Sequence, residues 1–267
     1  MSARQSVRAF PALLRIGLLE SLAYRGEMLV WILTTTMPLI MLALFTAVAR
    51  EHPLGRYGAP QLAAYFLVTF IVRQLTSSWS AWQINMEVRD GTMSTRLLRP
   101  VHPLMAYAAE SLASIPLRAA VALPVSVVLL LAVGAGQLTA DPVLWVLWVV
   151  SLLGALAISV FVGFAIGALA FFVESATKVL DVWLTVYFVL SGYLIPIELF
   201  PARVRVALDW LPFRYQVGLP VELITGAHGR LDALSLVGRQ WVFVGLSAVL
   251  TFALWRRGLA RYAAFGG

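Results

Sequence analysis

Long apolar runs alternate with short polar breaks along almost the whole chain, and one break is denser in charge than the others. The first run, residues 28–49, reaches about 30 Å as a helix, the thickness of a hydrocarbon layer. Further runs at about 61–84, 117–136, 142–173, 180–197 and 236–256 predict an all-α polytopic protein with about six transmembrane helices. Before them, Leu14, Leu18 and Leu22 share a helical face away from Arg15 and Glu20, so residues 8–26 read as an N-terminal interfacial helix. The run at 142–173 is longer than one untilted crossing. Within it Ser159, Gly163 and Gly167 recur at i, i+4 and i+8, a small-residue face for helix packing. The run at 180–197 is too short for a straight crossing and holds Gly192 and Pro196. A break there, followed by the Pro-rich stretch to about residue 236, predicts a re-entrant helical unit in the outer leaflet before the last span.

The dense polar break is residues 85–103, which carry Glu87, Arg89, Asp90, Arg96 and Arg99. Met86, Met93, Leu97 and Leu98 form an apolar stripe opposite the charges, so the spacing predicts a short amphipathic helix over 87–98 at the cytoplasmic surface. Gly91 weakens its middle, and Pro100 and Pro103 stop it. An ordinary charged loop that fixes topology has the same composition. Inside the second run, Arg73 costs about 2.5 to 3.5 kcal/mol at a bilayer centre and so must face protein or water. A continuous helix would place Ser77 and Ser80 on its face, with Gln74 one step around, as a polar stripe suited to a transport route. A buried arginine paired with carbonyls or with a partner subunit fits equally.

Composition agrees with a membrane domain: 61% of residues are hydrophobic, with a mean hydropathy of +0.86. With 267 residues and about six spans, the chain 1–267 reads as a single membrane domain. The net charge of +7 comes almost wholly from arginine, Lys178 being the only lysine. These arginines lie at run ends and loops, which points to lipid headgroups and topology rather than nucleic acid. Segments expected inside hold most of them and the two short outside loops hold Arg50 and Arg56, so both termini are expected in the cytoplasm. No cysteine is present, which excludes disulfides and thiolate metal sites.

The order Glu87-Val-Arg-Asp-Gly-Thr92, then Leu97-Leu-Arg-Pro100, after two spans resembles the cytoplasmic coupling segment of ABC exporter permeases of the drug-resistance and polysaccharide-export (type-two) family. A second stretch, Ser191-Gly-Tyr-Leu-Ile-Pro-Ile-Glu-Leu-Phe-Pro201 followed by Trp210-Leu-Pro-Phe213, resembles the fifth-span signature of the same family. With the hydropathy profile, the likeness covers nearly the whole chain. It implies that Glu87, Arg89, Asp90, Gly91, Thr92, Arg96, Leu97, Leu98 and Pro100 couple to an ATPase. It also implies an outer gate at Ser191, Gly192, Pro196, Pro201, Trp210 and Pro212. The partners implied are a dimer of ABC ATPase subunits, which would hold the ATP and Mg, and a second permease copy or a homologous permease chain. The expected location is a bacterial plasma membrane, with lipids around the spans.

His52, His102 and His228 fall in three segments and read as solvated loop histidines, so no metal site is expected. No phosphate loop, G-x-S-x-G or H-E-x-x-H occurs, and no catalytic residue or cofactor is expected in this chain. The leading expectation is the membrane half of an ATP-driven exporter of an amphipathic small molecule, drug or lipid-like substrate. The alternatives are a polysaccharide exporter, an intramembrane lipid-modifying enzyme using Arg73, Glu110 and Asp181, and a proton-coupled transporter. The last would need mid-span carboxylates, which the runs lack.

Overall fold

In the computed structural model, which describes residues 3–23, 26, 30, 35–133, 135–174 and 176–265, helix α8 (Pro142–Ala168) is the strut for the other helices. Its start is set locally: Asp141 accepts a hydrogen bond from Val143 N at 2.9 Å, and Pro142 occupies the first turn, where no donor is needed. Before it come α1 (Ala3–Ala23), α2 (Met37–Glu51), α3 (Ala59–Thr76), α4 (Ser80–Arg89), α5 (Met93–Leu97), α6 (Pro103–Ala113) and α7 (Ile115–Val133). After it come α9 (Ala176–Leu190), α10 (Ala202–Leu208), α11 (Gly218–Ile224) and α12 (Arg230–Phe265). No strand occurs among the described residues, and the protein is all-helical.

Helix α8 packs against α12, α4, α11 and α3, while α3 also lies along α2 and α7. Close approach is possible because glycines face the neighbours. A Cβ on Gly167 would stand 2.8 Å from Ile84 Cβ, one on Gly163 2.7 Å from Ser80 Oγ, and one on Gly154 2.8 Å from the Gln240 amide carbon. Ser159 instead meets the Gln216 side chain at 3.3 Å. Helix α1 lies on α6 in the same way, through Gly17 beside Ala113. Valines and leucines on α7, α8 and α12, among them Val128, Val146 and Val249, point outward, as lipid-facing positions require.

Among the described residues, three helical runs are long and apolar enough to cross a membrane: Pro103–Ala132, Pro142–Phe171 and Arg230–Tyr262. Several boundaries differ from those read off hydropathy, each for a local reason. The run at 61–84 is not one helix, because α3 ends at Thr76 and the chain turns through Ser77, Ser78 and Trp79 before α4. The third run begins at Pro103 rather than Leu117, since α6 continues almost directly into α7 instead of lying apart from it. Helix α9 stops at Leu190 because Gly192 adopts φ +87, with its carbonyl held by the Tyr65 hydroxyl at 2.7 Å. In the first run, α2 begins at Met37, and most of residues 24–34 lie outside the described residues.

Candidate functional site

The polar break at 85–103 is two helices rather than the single one expected over 87–98. Helix α4 closes at Arg89, Gly91 takes φ +74, and α5 starts at Met93. Only glycine adopts that left-handed geometry without strain, so the residue expected to weaken a helix reverses the chain instead. The reversal folds α5 back until Arg96 reaches Glu87. Its Nε donates to Oε2 at 2.8 Å and its Nη2 to Oε1 at 2.7 Å, while Nη1 donates to Glu110 Oε1 on α6 at 2.9 Å. Tyr107 donates to Glu87 Oε2 at 2.5 Å, Gln83 donates to Glu110 Oε2 at 2.7 Å, and the guanidinium lies 4.2 Å from the Tyr107 ring centre. Burial opposes the charge on Arg96, but Glu110 and Glu87 outweigh it and raise the pKa. Glu87 and Arg96 are therefore spent inside the chain.

What remains outward is a compact surface of Arg89, Asp90, Gly91, Thr92, Arg99 and Pro100, with Leu98 87% exposed at its edge. Leu97 is half-buried and Met93, beneath them, fully buried, which seats the surface on the core made with Ile84, Leu104, Phe164 and Trp255. His102 is not a solvated histidine: its Nδ1 caps α6 by accepting from Leu104 N at 3.2 Å, and burial lowers its pKa.

Arg73 sits in the last turn of α3. Because that helix ends three residues on, Ser77 and Ser80 do not continue its face, and the expected polar stripe is not formed. Ser80 Oγ meets Ser78 Oγ at 2.9 Å, and Gln74 reaches Thr35 Oγ1 at 2.7 Å. Ser77 is taken by Arg118, a buried cation at the edge of the run expected to start near residue 117. Arg118 donates to the Ser77 carbonyl at 3.0 Å and to its hydroxyl, to the Ser114 hydroxyl at 2.8 Å and, at 3.4 Å, to the Ser114 carbonyl. Ser77 and Ser114 end α3 and α6, so one guanidinium answers the carbonyl ends of two helices. Arg73 has less: its Nη1 donates to the Tyr187 hydroxyl at 3.3 Å, and the rings of Tyr187, Phe188 and Tyr193 lie 5.2, 6.0 and 5.9 Å away. A cavity of about 190 Å³ opens beside it, and a smaller one of about 60 Å³ lies toward Ser159 and Gln216.

At the opposite end, Ser191, Gly192 and Pro196 are buried, Pro201 and Trp210 are exposed, and Pro212 lies between. Here the structure brings together a cluster that sequence reading missed. Arg214 is paired with Asp209 and donates from Nη2 to Glu222 Oε2 at 2.7 Å, and His228 Nε2 lies 2.8 Å from that same oxygen. Burial pushes the Glu222 carboxyl up, but His228 and the Arg214 charge outweigh it and hold it at about 2. His228 thus belongs to a buried ion cluster and not to a solvated loop. The available signal was Glu222 itself, a carboxylate within the apolar stretch Val217–Ile224, which demands a cation nearby. Among the described residues no group of histidines and acids is arranged to hold a metal.

Long apolar helices, a charged surface pinned to one end and a buried cationic cleft between the ends define a polytopic membrane protein with a built-in polar interior. The chain matches the ABC-2 family transporter proteins over residues 29–266, and it belongs to that family. It is a membrane subunit of an ABC transporter, a permease whose family is generally not itself catalytic. No curated protein matches the chain.

Proposed function

We propose that the chain is the permease half of an ATP-driven exporter, coupled to a separate ATPase dimer through the exposed surface at residues 89–100. The observation that carries this reading is the Arg96 bridge. By joining Glu87 on α4 to Glu110 on α6, it makes the surface one rigid piece with a run that can cross the membrane. A force applied at Asp90 or Thr92 then moves α4 and α6 together. The second half of the transporter is another copy or a homologous permease, and the cargo is an amphipathic small molecule or lipid-like compound. The route passes Arg73, and the unit from Ser191 to about residue 236 closes it on the outer side. Both termini lie in the cytoplasm of a bacterial cell, and ATP and Mg are held by the ATPase.

Replacing Arg89, Asp90 and Thr92 together by Ala tests the assignment, since all three are exposed and none is in the ionic bridge. The purified complex is expected to keep its thermal midpoint while ATP hydrolysis no longer drives export. Unchanged export and ATPase stimulation would refute the docking surface.

A further inference from the structure

Four buried or partly buried arginines divide by what answers their charge. Arg96 and Arg214 each hold two carboxylates, and Arg118 holds helix-end carbonyls. Arg73 holds neither. Among the described residues its Nε is buried without an acceptor, and its single hydrogen bond runs to a phenol. Three aromatic rings attract the guanidinium electrostatically, but a ring face supplies no lone pair for the in-plane N–H groups. An unmet donor of this kind costs about 1–3 kcal/mol unless something accepts from it.

The cavity of about 190 Å³ beside Arg73 has room for an acceptor larger than water. Its walls include Ser77, Ser78, Trp79, Trp82 and Phe188, and among the described residues no acidic one lines either it or the smaller cavity on the other side. A cationic head would therefore meet Arg73 with nothing to offset the repulsion. An anionic head would meet a guanidinium fork and hydroxyls, with indole surface alongside for an apolar body. Trp79 and Trp82 are half exposed, so that body has an open side along which to extend.

We infer that this cleft binds an anionic amphiphile, its acidic head accepting from the Arg73 guanidinium and its apolar body lying along Trp82 and Phe188. The inference rests on the export reading and names its cargo class as acids rather than the cationic amphiphiles that an apolar pathway alone would equally admit. A carboxylate, sulfonate or phosphate oxygen pair supplies the same two acceptors, and a guanidinium fork is suited to all three.

Binding of 11-(dansylamino)undecanoate, of its methyl ester and of a trimethylammonium analogue of equal length would be measured by fluorescence on the full chain in phosphatidylcholine nanodiscs. The carboxylate is expected to bind about tenfold or more tightly than the ester, and the cation least. Arg73→Gln is expected to abolish the preference and Arg73→Lys to keep part of it. Equal affinity of acid and ester for the wild-type chain overturns the inference whether or not a variant folds, and so does an unchanged preference in Arg73→Gln. Adding phosphatidylglycerol separates the two sources of such a head: displacement of the probe assigns the site to a lipid headgroup, and persistence of the probe to a free amphiphile. Either result upholds the anion site. Equal affinity of acid and ester for the wild-type chain, alongside intact coupling of ATP hydrolysis to export, overturns the anion site alone and leaves the transporter reading in place.

Discussion

The two ends of the molecule neutralise their buried and half-buried arginines with carboxylates, whereas the middle does not. At one end Arg214 is closed in by Asp209, Glu222 and His228, all from one stretch of about twenty residues, so the cluster locks a single unit onto itself. At the other, Arg96 ties α5 to both α4 and α6, and the cluster joins separate elements beneath an exposed surface. Between them Arg118 is met by backbone and Arg73 by rings. A fully paired charge fixes structure, and an unpaired one is available for work. The contrast separates the parts that hold the fold from the part with spare interaction capacity.

The sharpest break in this comparison is Glu222→Ala, which would leave Arg214 and His228 facing a vacated buried site. A loss of about 3–5 kcal/mol is expected, read as a lowered thermal midpoint in detergent. The same pair sets a pH response. Because the Glu222 carboxyl is held down at about 2 in the folded protein, its contribution is fully present above the ordinary carboxylate range and is lost as pH falls from there through about 2. The thermal midpoint of Glu222→Gln is expected to fall less steeply with acidification than that of the wild type.

A smaller effect is expected at the other end, where the partners are partly exposed. Arg96→Ala should cost about 1–3 kcal/mol, and it should reduce coupling of ATP hydrolysis to export by more than the stability loss explains. Normal coupling in a folded Arg96→Ala protein would show that the bridge only stabilises.

In the middle, contact is set by small side chains. Gly167→Ala meets the Ile84 Cβ, which cannot swing away, and should cost about 1–3 kcal/mol. Gly163→Ala meets a serine hydroxyl that can rotate, and its cost should be lower. Gly245→Ala, with nothing within 4 Å of the added carbon, should raise the thermal midpoint slightly, by the equivalent of about 0.5–1 kcal/mol of helix propensity. Equal destabilisation by all three would mean that the helix contacts do not depend on these glycines.

The apolar runs and the single dense polar break were legible because hydropathy and charge are local properties of the chain. The partners of Arg96 were not, because they depend on a reversal at Gly91 that period counting treats as a mere weakness in a helix. Arg118 escaped notice since it lies at the margin of an expected span, where an arginine is read as a topology marker. Its role exists only because α3 breaks at Ser77, and polar residues such as Ser77, Ser78 and Ser80 are compatible with either a helix or its end. The Glu222 cluster was open to inference from one buried carboxylate, but its closeness to Arg214 required the intervening short helix to be known.

The gap between α3 and α4 also has a mechanical meaning. A continuous rod from Gly58 to Arg89 would carry any load at one end to the other as a single lever. Here the hydrogen-bond ladder is interrupted through Ser77, Ser78 and Trp79, so α3 and the ten-residue rod α4 are separate levers, α3 lying along α2 and α7 and α4 along α8. Arg118 donates to the carbonyl at that break and so ties the end of α3 to the start of α7. Arg73 lies one turn before the break, on α3, and the wall formed by Ala81 and Trp82 lies on α4. The angle between the two rods at this break therefore sets the width of the cleft.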